Sequence, residues 1–134
     1  MSIVYALEAG LSAREFQQLL VASTLGERRP VNDLERLERM LREADIIATA
    51  RDGARLVGVS RAITDFAYCC YLSDLAVDEA WQRRGIGRQL IANTQAAAGA
   101  QAALILLAAP AAEKYYPHIG MQHVPSCWLL PRSA

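Results

Sequence analysis

The chain has 134 residues, 53% of them apolar and 21% charged, and its 14 Lys and Arg balance its 14 Asp and Glu to a formal net charge of zero. That length leads us to expect a single domain, 1–134, with enough chain to bury a core without disulfide or metal staples. Charge neutrality excludes a protein that grips nucleic acid by bulk charge, although Arg83, Arg84 and Arg88 make one local basic group.

Ile3–Leu7 is a short apolar run suited to an edge strand. A helix opens near Ser12. Ser12 and Glu15 have capping-box spacing, so a hydroxyl and a carboxylate can each take an amide that the first turn leaves free. Phe16, Leu19 and Leu20 recur with helical period, and Gly26 is the expected left-handed stop. After the loop carrying Glu27, Arg28, Arg29 and Pro30, Asn32 and Glu35 have the look of a second cap pair. Leu34, Leu37 and Leu41 then share one face, opposite a charged and solvated one. Ile46–Arg51 and Arg55–Ile63 read as a hairpin around Asp52-Gly53, which tolerates the positive φ of a tight turn. Tyr68–Val77 is apolar on both faces and is expected as a central strand, with Asp74 its exception. Arg88–Ala98 predicts a helix stopped by Gly99, and Ala103–Ala108 a short buried strand. Pro110 suits the first turn of another helix through Ala111–Tyr116, which Pro117 cuts short. Met121–Val124 and Cys127–Leu130 are expected as two last strands. The order β-α-α-β-β-β-α-β-α-β-β makes an α/β (α+β) fold, a mixed sheet with helices on its faces.

The stretch with chemical content is Leu72–Leu90. A strand ends, an acidic turn follows, and Gln82-Arg83-Arg84-Gly85-Ile86-Gly87-Arg88 opens a helix. The first amides of a helix have no intrahelical acceptor, and the helix dipole adds partial positive charge there. Gly85 and Gly87 let a ligand reach the backbone without meeting a Cβ, and Arg83, Arg84 and Arg88 add charge at the same end. Together they form a cradle for a pyrophosphate. A Walker A loop would end in Gly-Lys-Ser or Gly-Lys-Thr, which is absent, and a dinucleotide fingerprint would need a glycine where Leu90 stands.

At these residues the chain resembles the GNAT family of N-acetyltransferases, whose signature is Gln or Arg, two variable residues, Gly, one variable residue, then Gly or Ala. Gln82–Gly87 matches it throughout, Leu75-Ala76-Val77-Asp78 matches the end of the family's fourth strand, and Ala112–Met121 is similar to its late tyrosine segment. Ala109 stands where relatives often carry Asn, and Pro117 and Met121 replace commoner polar and aromatic residues. The resemblance implies a mixed, mostly antiparallel sheet of about six to seven strands flanked by about four helices. It implies acetyl-CoA as co-substrate, lying in an opening between the fourth and fifth strands. The backbone of Leu75, Ala76 and Val77 would pair with the pantetheine arm, the amides of Arg83, Arg84, Gly85, Ile86, Gly87 and Arg88 would hold the pyrophosphate with Gln82 as a further cofactor-binding residue, and a strand bulge would aim an amide at the thioester carbonyl. Tyr116 matches the tyrosine that protonates the leaving thiolate.

Asp74 is the candidate to take the proton of the attacking amine, as the only carboxylate within its strand. A free Asp has a pKa near ~4, which burial would raise. The same residue could instead hold the ammonium or serve as a buried partner for an arginine. Arg28 and Arg29 read as solvent-facing rather than acceptor-binding, although the resemblance implies that their loop borders the acceptor site, and Trp81, Trp128, Cys69 and Cys70 read as packing residues. His118 and His123 have no third ligand, so no metal is expected. The odd cysteine count (three), with no Cys-x-x-Cys, no leader sequence and no apolar run of membrane-spanning length, leads us to expect a cytoplasmic protein with no membrane partner. The resulting expectation is an acetyl-CoA-dependent N-acetyltransferase acting on a small-molecule amine, possible homodimer pairing through the last strands included. The open alternatives are a protein N-terminus or lysine as acceptor, and a non-catalytic acyl-CoA sensor.

Overall fold

The structure, a computed structural model, describes residues 2–133. Its five-stranded sheet runs in chain order. β1 (Val4–Leu7), β2 (Ile46–Asp52), β3 (Arg55–Thr64) and β4 (Cys69–Val77) pair antiparallel in succession, and β5 (Ala103–Ile105) joins β4 in parallel. Four α-helices flank it: α1 (Ala13–Ala22), α2 (Leu34–Arg42), α3 (Ile86–Ala98) and a single turn, α4 (Tyr115–His118).

Strand alternation sends buried residues to two cores. Ile47, Val59 and Ala76 pack with Leu11, Phe16, Leu20, Leu37 and Leu41 under α1 and α2. Ala48, Ala50 and Val57 pack with Ile86 and Leu90 of α3, while Ile46, Ala62 and Cys70 pack with Ala98 at its far end. The Ser60 and Thr94 hydroxyls pair at 2.7 Å beneath α3, so each buried polar group there has a partner.

Ser12 caps α1, its Oγ accepting from the Glu15 amide at 3.1 Å. The Glu15 carboxylate accepts from the Ser12 hydroxyl at 3.4 Å and pairs with Arg51 at 2.8 Å, in place of the Ser12 amide. Asp33, not Asn32, caps α2 by accepting from the Arg36 amide. The left-handed residue after α1 is Thr24 (φ 72°), not Gly26. Gly26 is needed for closeness: a Cβ there would stand 3.1 Å from the Leu20 backbone. The β2–β3 turn lies at Gly53 and Ala54, with Gly53 at φ 59°, one residue beyond the expected position.

The end of the chain departs from expectation. The sheet has five strands instead of six to seven, and the order stops at β-α-α-β-β-β-α-β-α. Met121–Val124 and Cys127–Leu130 form no ladder, although a turn separates them at Pro125 and Ser126. A strand needs an edge to pair with, and β5 is three residues long instead of running to Ala108. Local apolar patterning cannot supply that edge. Trp128 is accordingly 93% exposed and Cys69 is also exposed, so neither packs in a core. Among the described residues no helix is long and apolar enough to cross a membrane.

Candidate active site

Parallel pairing of β4 and β5 ends at Tyr71 and Ile105. Beyond that point a cleft of about 460 Å³ opens between Leu72–Val77 on one side and Leu106, Leu107, Ala109 and Pro110 on the other. The turn Thr24–Arg29, Gln82 and Tyr116 complete its walls. A bulge accompanies the opening. Arg61 pairs with Asp74 but Ala62 pairs with Leu72, which leaves Ser73 as the extra residue. The bulge also switches faces: Cys70 belongs to the α3 side, whereas Ala76 packs under α1 and α2. The Asp78 amide donates to the Val57 carbonyl at 2.9 Å, so ladder alternation turns the Ala76 peptide toward β3 and those of Leu75 and Val77 toward the cleft. The Val77 carbonyl accepts from Gln82 Nε2 at 2.9 Å.

The loop after β4 is held by Asp78, whose carboxylate accepts from the Ala80 amide at 3.0 Å and pairs with Arg55 at 2.9 Å. Arg83 is left-handed (φ 65°) without being a glycine, and Gly85, the N-terminal flank of α3, is left-handed at φ 80°. Strain of this kind concentrates at binding loops. The helix starts differ in a telling way. Side chains cap α1 and α2, but no side chain caps α3. Among the described residues no protein oxygen receives a hydrogen bond from any amide between Arg83 and Arg88; pairing resumes at Gln89, whose amide donates to Gly85 at 3.1 Å. Gly87 sits in close quarters, where a Cβ would lie 3.1 Å from Tyr115 Oη and 3.8 Å from Val77 Cγ2. The Arg84 guanidinium stacks 4.8 Å over the Trp81 ring, while Arg83 and Arg88 are exposed beside the same mouth. Free amides, helix dipole and arginines together leave positive charge at this mouth.

Asp74 is wholly buried on the α1–α2 side of β4. One carboxylate oxygen accepts from Arg29 Nε and the other from Arg61 Nε. Arg29 Nη2 also donates to the Ser73 carbonyl at 2.7 Å, and Arg61 Nη2 to Ser73 Oγ at 3.1 Å, so the pair clamps the bulge. Arg29, expected in solvent, is instead a partner of this buried carboxylate, and so is Arg61. The available signal was Arg61 and Asp74 themselves: charges inside apolar strands are buried only with partners.

Tyr116 is half-buried and lines the cleft with Leu72, Ser73 and Leu75. Its ring meets Tyr115 edge to face, 5.2 Å between centroids. Burial, with Tyr115 alongside, pushes the Tyr116 phenol above its ordinary pKa of 10.0, so it carries its proton at neutral pH. No group of three or more metal-ligating side chains forms among the described residues.

The family model described as an acetyltransferase (GNAT) domain matches residues 18–126. No curated protein matches the sequence. Among solved structures, a Staphylococcus aureus protein described as a probable acetyltransferase superposes with a TM-score of 0.83 at 18% identity, over 99% of this chain and 100% of its own. A GNAT family acetyltransferase from Streptococcus pneumoniae gives 0.73 at 22% identity, over 98% and 100%. An aminoglycoside acetyltransferase from an uncultured soil metagenomic sample gives 0.65 at 26% identity, over 99% and 100%.

Proposed function

This chain belongs to the GNAT family of acetyltransferases, and on that footing we propose that it passes the acetyl group of acetyl-CoA directly to the primary amine of a small molecule. The observation that carries this reading is the uncapped start of α3, where the amides from Arg83 to Arg88 have no protein acceptor among the described residues. Those amides would hold the pyrophosphate, with Arg83 and Arg88 beside it. The outward peptides of Leu75 and Val77 would line the pantetheine arm. The missing side chain of Gly87 leaves the backbone open to the phosphates.

Acetyl-CoA supplies the thioester; the chain's residues orient the reactants and move the protons. The Leu75 amide, beside the bulge and facing the cleft, is the donor for the carbonyl oxygen as its charge grows. As the N–C bond forms and the C–S bond breaks, the Tyr116 hydroxyl gives its proton to the departing sulfur and is reprotonated from solvent. The amine's proton leaves through water. We assign Asp74 a positioning role, since both its oxygens are held by arginine. A cleft of about 460 Å³ has to take both the arm and the acceptor, which favours a small amine.

Calorimetric titration with CoA, followed by free-thiol release from acetyl-CoA across a panel of amines, tests the reading. Binding together with amine-dependent release is the expected result. Binding without release on any amine would mark a sensor, and the absence of CoA binding would overturn the site.

A further inference from the structure

Asp74 neutralises one positive charge, yet two guanidinium groups share it. One unit of positive charge is therefore left over beside the bulge at Ser73, which the proposed reaction makes the acceptor end of the cleft. Arg29 is the member of the pair that lines the cleft, with 21% of its side chain exposed against 9% for Arg61. It is held rigidly. Nε goes to Asp74, Nη2 to the Ser73 carbonyl at 2.7 Å and Nη1 to the Arg28 carbonyl at 2.8 Å. Each terminal nitrogen carries two hydrogens and spends one, so a pre-oriented fork keeps one donor on each for a ligand. Glu27 is the only carboxylate lining the cleft among the described residues, and it lies exposed next to Arg28. Arg28 and Arg29 outnumber it, so the wall has no excess of acidic charge to collect a polycation.

Resting on the acetyl-transfer reading above, we infer that the acceptor is a primary amine that also carries a carboxylate, which the Arg29 fork holds while the nitrogen faces the bulge. A planar carboxylate matches two parallel guanidinium donors in both geometry and charge. Asp74 and Arg61 serve as the frame that keeps Arg29 in place. A polyamine or aminoglycoside brings several positive charges to a wall whose balance is already positive.

The test is a set of matched acceptors assayed by thiol release: amino acids against their own amides and methyl esters, with spermidine and an aminoglycoside added. The carboxylate form should exceed its amide by about tenfold or more in kcat/KM, mostly through KM, the difference one charge-assisted contact supplies. Arg29→Gln should reduce that ratio to within about twofold, and Arg29→Lys should restore part of it. Equal turnover of acids, amides and esters, or preference for the polycations, overturns the inference while leaving acetyl transfer standing. The matched panel on the unmodified protein decides this even if the variants fold poorly. Failure of every amine, or of CoA binding, would instead bring down the underlying reading and this inference with it.

Discussion

Replacing Gly87 with glutamate would put a carboxylate into the mouth of α3, among amides that have no protein acceptor. The fold should accept the change. The new Cβ would come 3.1 Å from Tyr115 Oη, the free end of a side chain that can withdraw slightly. A negative charge in the first helical turn is itself favoured by about 0.3–1 kcal/mol. CoA binding should suffer in two ways. A carboxylate roughly 5 Å from a doubly charged pyrophosphate repels it by about 2 kcal/mol even at the dielectric constant of water. Each amide the carboxylate captures also removes a charge-assisted hydrogen bond of about 1.5–3 kcal/mol. The sum, roughly 4 kcal/mol, is about a thousandfold in dissociation constant. Gly87→Gln adds similar bulk without charge, so about thirtyfold should separate the two variants at low salt, and the gap should narrow as ionic strength rises. Calorimetric titration with CoA beside a thermal melt reads both quantities. A Gly87→Glu protein that melts like its parent and binds CoA within about twofold of it would refute the assignment of this loop.

Asp74→Asn leaves Arg29 and Arg61 without their shared anion, a loss of about 3–5 kcal/mol for a buried group and on the order of 10 °C in melting temperature; parental melting with abolished turnover would return Asp74 to the chemistry as a base. Tyr116→Phe should lower kcat about a hundredfold with CoA affinity retained. Because burial raises the Tyr116 phenol, its protonated form persists as pH rises through 10.0, and any limb of the rate profile belonging to it must lie above that value. An alkaline limb below it that disappears in the Phe variant would contradict the upward shift. Gly58→Ala would push a Cβ to 3.0 Å from Ile86 Cγ2 and Leu90 Cδ1, where α3 rests on β3. A destabilisation of about 1–3 kcal/mol should appear in denaturant melts, with weaker CoA binding as α3 shifts; unchanged melts would mean that this contact is looser than described.

The readings that held were of features decided within a few residues. Ser12 caps α1 because a hydroxyl reaches an amide three positions on. Asp52-Gly53 turns the hairpin, within one residue, because the backbone there must adopt positive φ. Gln82–Gly87 leads into α3 with two glycines, which the glycine spacing advertises directly. What failed, or stayed out of sight, depends on distant partners. Cys127–Leu130 is a continuous apolar run like a buried strand, but a strand exists only where another edge offers its amides and carbonyls. Gly26 matters for its closeness to Leu20 and not for backbone freedom. Asp74 could be picked out as a lone carboxylate in an apolar strand; that Arg29, from a loop 45 residues earlier, and Arg61, from the neighbouring strand, would take both its oxygens could not. Local sequence sets which hydrogen bonds and turns a segment can make by itself. Which buried charge meets which, and on which side of the Ser73 bulge a side chain falls, is settled only when packing brings remote segments within a few ångströms and desolvation demands a partner.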